Sequence, residues 1–330
     1  MAQHLRSSVL YYHTYNLPTL YSGLSALRII RPAHCKTISI FHNKKLRGFL
    51  HLSQTSPTPA LFFLLGELPI EARLHADVLS LFYNIWSNPN TTVFKIVQYL
   101  LMMADEISTT WSAHVRLLCM KYGLPDPLQL LKSETVWPKA RWMTLVKTRI
   151  TIYFEQDRRA KAIVNSKMQY LNVQLQGLCG APHTALLNIR TVQDALKLRF
   201  HLKFLTGNYL TRERLAINQG TNPRCRLCPA PAESNQHNLT QCPGTADIHR
   251  RMLPELLNIV QPSSMILADQ STHLTQFILD CTSINLPDSY RIPAHSPSVL
   301  KCLGSHLTGP MQLAEKDPDY LDPVNSKEIM

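Results

Sequence analysis

Three cysteines and a histidine crowd into "PRCRLCPAPAESNQHNLTQCPG" (residues 223–244), spaced Cys225-x2-Cys228-x8-His237-x4-Cys242. A Cys-x2-Cys turn presents two thiolates toward one point. A histidine near the start of a short helix, with a cysteine five residues on, can close a tetrahedron around that point. Three sulfurs and one imidazole make a closed shell, the pattern of a structural Zn2+ site; catalytic zinc keeps a position open to water. Soft thiolates argue against magnesium and calcium. A redox reading of Cys225 and Cys228 needs a βαβ context that the surrounding sequence lacks. His249, Cys281 and Cys302 stand as substitutes if His237 or Cys242 points away. The intervening "PAPAESNQ" cannot build a core, so one bound zinc would hold it. In small finger peptides such binding contributes on the order of 10–16 kcal/mol.

The charge is placed beside this cluster. The chain of 330 residues carries a formal net charge of +12. Between Lys139 and Arg226 there are 16 Lys/Arg against 4 Asp/Glu, and the remainder holds 18 of each sign. A charge so concentrated favours a polyanion, nucleic acid before an anionic membrane surface. The candidate phosphate contacts are Lys139, Arg141, Lys147, Arg149, Arg158, Arg159, Lys161, Lys197, Arg199, Lys203, Arg212, Arg214, Arg224 and Arg226. Zinc at the cluster would fix Arg224 and Arg226 at the end of this region. Trp137, Trp142, Tyr153, Phe200 and Phe204 lie among the cations, where aromatics can stack on unpaired bases; at helical spacing such residues are more often core. Projected on a helix, the cations of 139–167 do not separate cleanly from the apolar residues.

The elements that must position these groups read as helices. Apolar residues make up 45 %, ordinary for a globular chain. In "ELPIEARLHADVLSLFYNIWS", Leu74, Val78, Leu81, Phe82 and Ile85 fall on one face, and Pro69 and Glu71 suit the first turn. Further helices are expected near 93–106 and 108–122, the second starting at Ser108, then over about 134–170 and 191–206. "SQTSPTPA" (53–60), "SNPNTT" (87–92) and "GLPDP" (123–127) are breaks. Short helices are expected after the cluster to about 285, then a loosely ordered tail. With no strong strand alternation and no internal repeat, the fold class is mainly α. The eight cysteines are too scattered for a secreted disulfide scaffold. No run approaches the roughly 18 apolar residues of a membrane span. The expectation is a soluble, intracellular protein without a membrane partner.

With these residues in view, the chain resembles a known family. The pattern C-x2-C … E-x3-H-x-L-x2-C-P is written here as Cys225, Cys228, Glu233, His237, Leu239, Cys242 and Pro243. It resembles the zinc-binding region C-terminal to the polymerase in non-LTR (LINE-type) retrotransposon reverse transcriptases. "PALFFLLGELPIEARLHADVLSLFYNI" is similar to the helical, thumb-like segment after the palm, and "LTGNYLTRERLAINQGTNPRCRLC" to the approach to the zinc site. "LPTLYSGLSAL" is similar to the helix after the catalytic core. The similarity covers roughly residues 9–285. It implies a remnant at 1–58 that follows the polymerase core, a thumb-like helical region at 59–133 and a basic helical region at 134–220. A zinc knuckle at 221–252, short helices at 253–285 and the tail at 286–330 complete the division.

The departures from the family decide the expected activity. Its polymerases bind two magnesium ions with an aspartate pair in an F/Y-A-D-D hairpin, which this chain lacks. The nearest text, "MMADEIS" with Asp105 and Glu106, lies beyond the quoted thumb-like segment and in a helical pattern. The Pro-Asp pairs at 125–126, 287–288 and 318–319 read as turns, not as endonuclease carboxylates. No P-loop or paired carboxylate stands out. The resemblance therefore implies a non-catalytic, zinc-dependent module that contacts template RNA or target DNA. The alternatives are a structural module packing on a polymerase domain in another chain, and a non-functional remnant of a decayed element.

Overall fold

The computed structural model of the protein describes residues 11–19, 32–103, 110–133, 135–171, 182–183, 186, 192–209, 211–247 and 250. Helix accounts for 71 % of the described residues and no strand occurs among them, so the class is mainly α. The helices and tail read over 253–330, the residues Asp105 and Glu106, and the ligand substitutes His249, Cys281 and Cys302 lie outside the described residues.

Two compact units divide the chain. One comprises Tyr11–Asn43 and Glu67–Ala160; the other comprises Met1–Leu10, Lys44–Gly66 and Lys161–Met330. All four tryptophans, Trp86, Trp111, Trp137 and Trp142, belong to the first, here the tryptophan unit. The four-residue Cys/His cluster belongs to the second, the metal-site unit. These bounds differ from the divisions read from the sequence, because the stretch 134–220 is split after Ala160. The reason is packing: Trp142, Val146, Ile150 and Phe154 recur every fourth residue and are buried with residues 72–131 in one core.

Helices α1 (Pro32–Phe49), α2 (Thr58–Leu65), α3 (Ile70–Trp86), α4 (Thr92–Met103), α5 (Trp111–Tyr122), α6 (Pro127–Lys132) and α7 (Lys139–Ile163) follow one another. In the tryptophan unit, α5 packs on α3, α4 and α6, and α4 also packs on α3 and α6. Residues 139–160 of α7 complete the core, where the Trp142 indole N–H donates to Leu79 O at 3.1 Å. A buried indole needs such a partner.

Local sequence sets the helix ends. Pro69 precedes α3, and Glu71 in its first turn accepts a hydrogen bond from Ser39 Oγ at 2.7 Å. The buried face of α3 is rotated from the one the sequence pattern picked out. Leu74 and Phe82 are buried, but Leu81 is 47 % exposed, and Ala72, Leu79, Tyr83 and Trp86 carry the core instead. Helix α5 starts at Thr110, whose hydroxyl accepts from Ala113 N–H, rather than at Ser108, which lies outside the described residues. It ends at Gly123, whose φ of +61° is the left-handed conformation that glycine adopts freely. Asp126 of the first Pro-Asp pair caps α6 by accepting from Leu128 N–H at 3.2 Å.

In the metal-site unit, α2 is buried along Ala60–Leu65, which suits its uniformly apolar sequence. Helix α8 (Val192–Leu205) ends in a turn through Gly207, where a Cβ would stand 2.6 Å from Lys167 O. Asn208 ties this turn down by donating to Ser56 Oγ at 2.7 Å. Helix α9 (Arg212–Gln219) follows, capped by the Thr211 hydroxyl and stopped at Gly220, φ +69°. The chain leaving α9 enters the Cys/His segment.

Candidate metal centre

The cluster is assembled by three short pieces of backbone. Cys225 N–H donates to Ala230 O at 3.1 Å, which closes the turn carrying Cys225 and Cys228. Glu233 N–H then returns to Pro223 O at 2.9 Å. A wide helical turn at His237–Gln241 presents the histidine and leads directly to Cys242. Pro243–Thr245 forms a tighter turn, held by Thr245 N–H on Cys242 O at 3.1 Å.

These pieces bring one ligand atom each from Cys225, Cys228, His237 and Cys242 to within 4.8 Å of one another. The Cys225 and Cys242 sulfurs are 3.7 Å apart, and Cys228 Sγ lies 3.2 Å from His237 Nε2. Cys225, His237 and Cys242 are buried and Cys228 is partly exposed. The arrangement can hold one metal ion in a four-coordinate shell. Burial pushes the Cys225 thiol up to about 12. The Ala230 backbone N–H lowers the Cys228 thiol. Bound cations take thiolates, so metal binding at Cys225 would release a proton. Leu227 N–H already points at Cys225 Sγ, at 3.4 Å.

Behind the ligands stands a residue to which the sequence reading assigned no role. Glu233 is 1 % exposed and receives Arg226 N–H at 3.1 Å and Arg226 Nε at 2.9 Å, with Nη2 of the same guanidinium on its other oxygen. Burial would raise this carboxyl, but the Arg226 guanidinium holds it below the usual carboxylate range. Its signal was visible in the pattern: a lone glutamate inside a Cys/His segment, seven residues from an arginine. Gly244 is the other residue without an assigned role. A Cβ there would meet Leu227 O at 2.4 Å, so only glycine lets the Cys242 turn approach the Cys225–Cys228 turn so closely.

The candidate phosphate contacts are divided between the two units. Lys139, Arg141, Lys147, Arg149, Arg158 and Arg159 fall in the tryptophan unit; Lys161, Lys197, Arg199, Lys203, Arg212, Arg214, Arg224 and Arg226 fall in the metal-site unit. Lys139, Arg141, Lys147, Arg149, Lys161 and Arg224 are exposed. On α7 they form no single row, since Lys147 and Arg149 are two residues apart and point about 200° away from each other. Arg159, Arg199, Lys203, Arg212 and Arg214 are partly exposed, and the side chain of Lys197 lies outside the described residues.

Two of the expected contacts are engaged within the fold. Arg158 is 5 % exposed and donates to Glu67 O at 3.3 Å, so its guanidinium is spent inside the fold. Arg226 is held against Glu233, because a buried carboxylate is costly without a paired cation. Two of the aromatics are interior. Trp142 and Phe204 are buried, Phe204 stacking on Tyr209 at 4.0 Å. Trp137 packs partly buried against the core under Arg141, and Tyr153 is exposed, with Lys121 over its ring. Phe200's side chain lies outside the described residues.

Compared with protein-family models, with curated proteins and with solved structures, the chain matches none of them.

Proposed function

We propose that the chain binds one structural Zn2+ through Cys225, Cys228, His237 and Cys242, and that the zinc-held segment is part of a non-catalytic nucleic-acid-binding module. The observation that carries the reading is the donor set in its geometry. A tetrahedral zinc with Zn–S near 2.3 Å and Zn–N near 2.0–2.1 Å needs S···S edges of about 3.8 Å and S···N edges of about 3.5 Å. Two of the six edges, at 3.7 and 3.2 Å, lie near those lengths, and all four ligand atoms lie within 4.8 Å of one another. Four protein ligands leave no position for a substrate water, which favours a structural ion.

The nucleic-acid part rests on charge. Exposed Arg224 precedes the first ligand directly, and partly exposed Arg212 and Arg214 open the helix before it. Contacts of this kind position a backbone and carry little sequence information. The resemblance to the region C-terminal to LINE-type polymerases supports RNA or DNA as the polyanion.

The first test is zinc per chain by elemental analysis after exhaustive dialysis, wild type beside His237→Ala. One zinc in the wild type, lost in the variant, is expected. A folded wild-type chain without zinc would sink the reading. The second test is binding to single-stranded RNA and DNA across a salt series. Log K is expected to fall with log salt by about 0.7 for each phosphate neutralised on single strands, and Arg224→Glu should weaken both ligands alike.

A second reading is favoured by α4, where Val93, Ile96, Tyr99, Met102 and Met103 are exposed. That much apolar surface on one short helix fits a protein-interaction module packing on a polymerase domain. Under it, neither RNA nor DNA would bind even at low salt, and Ile96→Lys would abolish the partner contact without touching the zinc.

A further inference from the structure

We infer that Glu233 is a positioning residue for the metal, holding the Cys225–Cys228 turn and the His237 turn in a metal-ready arrangement. The inference rests on the zinc reading above and adds to it a residue outside the ligand set.

The geometry singles Glu233 out. Its carboxylate takes the backbone N–H and two side-chain nitrogens of Arg226, which sits between the first two ligands. It takes the Asn238 side-chain amide, next to the third ligand. It also accepts Arg212 N–H at 3.4 Å, the first residue of α9, where a helix N-terminus favours an anion. Glu233 O receives Glu213 N–H at 3.3 Å, a second link to the same helix. One buried carboxylate therefore ties together the turn of Cys225 and Cys228, the turn of His237, and the helix before them. From the other side, Gly244 brings the Cys242 turn against Leu227.

A bare Cys-x2-Cys loop must be ordered when the ion arrives. Here the ordering is already done by groups that do not touch the ion. Partners of this kind orient ligands, and losing one typically costs roughly 10–100-fold in metal affinity. A merely stabilising ion pair would leave affinity unchanged so long as the chain folds.

The experiment is zinc affinity by competition with a chromophoric chelator, on the full chain. The proteins are wild type, Glu233→Gln, Glu233→Ala, Arg226→Ala and the Glu233→Ala/Arg226→Ala pair. Co2+ absorption reads the ligand set and circular dichroism the helix content. Glu233→Ala is expected to weaken zinc by roughly 10–100-fold, with the saturated Co2+ spectrum still that of three thiolates and one imidazole. Glu233→Gln, of the same size with one amide oxygen to accept, should fall between, and it decides the matter if Glu233→Ala does not fold. The double variant should be no weaker than Glu233→Ala alone, since both substitutions cut one link. Wild-type affinity in a folded Glu233→Gln or Glu233→Ala overturns the inference and leaves the zinc reading standing. Losses that add fully in the double variant overturn the role of Arg226. A wild type that binds no zinc overturns both readings.

Discussion

At the scale of single residues, the tryptophan unit carries a half-buried histidine whose protonation the fold opposes. His75 on α3 makes a 2.6 Å hydrogen bond to Tyr122 OH and packs its ring against His114 and Phe154. Burial, then Lys121 and His114, push His75 down to about 3, and burial lowers His114 as well. The sign follows directly. His75 stays neutral in the folded chain and titrates near 6.5 in the unfolded one. Its contribution is fully present above pH 6.5 and is lost as pH falls from there toward 3. The slope approaches about 1.4 kcal/mol per pH unit. Urea unfolding followed by tryptophan fluorescence should show a lower midpoint at pH 5 than at pH 7, and His75→Gln should flatten that difference. An unchanged midpoint in the wild type would mean that His75 is protonated without cost. This residue was not legible in advance: "EARLHADV" offers a lone histidine, and only the packing of α5 and α7 makes it dry. The Cys/His cluster was legible because its four residues lie within eighteen consecutive positions, so spacing alone constrains them. The burial of Arg158 was not legible for the opposite reason. Nothing local distinguishes it from Arg159, and its partner Glu67 O is 91 residues away.

At the scale of elements, helix identity was readable and helix orientation was not. The breaks at Pro69, Asn88–Pro89 and Gly123–Pro125 come from backbone rules that act on neighbours, and α3, α4 and α5 start and stop close to them. The buried face of α3 depends on what packs against it. The apolar residues Leu74, Val78, Leu79, Leu81, Phe82, Ile85 and Trp86 cover more than one side, and the tryptophan cluster selects the side holding Leu79 and Trp86. On α7 the row Trp142, Val146, Ile150 and Phe154 was present in the sequence, but the cations between those positions masked it. Caps are the element-scale feature easiest to test. Thr110→Ala removes the hydroxyl that accepts Ala113 N–H and should destabilise the tryptophan unit by about 1 kcal/mol, while Thr110→Ser should retain most of it. The urea midpoint should fall with the slope m unchanged. A Thr110→Ala chain as stable as wild type would place the working cap elsewhere.

At the scale of the whole molecule, the sequence distributes its tryptophan probes and its candidate metal ligands between different units. Every tryptophan reports on the tryptophan unit, whose core needs no metal ligand. Every proposed ligand lies in the metal-site unit. A zinc at 1,000 times its Kd stabilises what it binds by about 4 kcal/mol, and that linkage reaches only residues that unfold together with the site. Stripping the metal with a strong chelator should therefore leave tryptophan fluorescence and its urea midpoint unchanged. The Cys225–Cys242 segment should meanwhile lose its protection, read as faster labelling of Cys225 and Cys242 by a thiol reagent and new tryptic cleavage after Arg224. If the tryptophan midpoint drops along with the thiol protection, the two units unfold as one cooperative body. The zinc would then stabilise the whole chain, and His237→Ala would no longer separate a local metal defect from global unfolding in the nucleic-acid assays. If only the thiols respond, a loss of RNA or DNA binding on chelation can be assigned to the metal-site unit and to the arginines it holds.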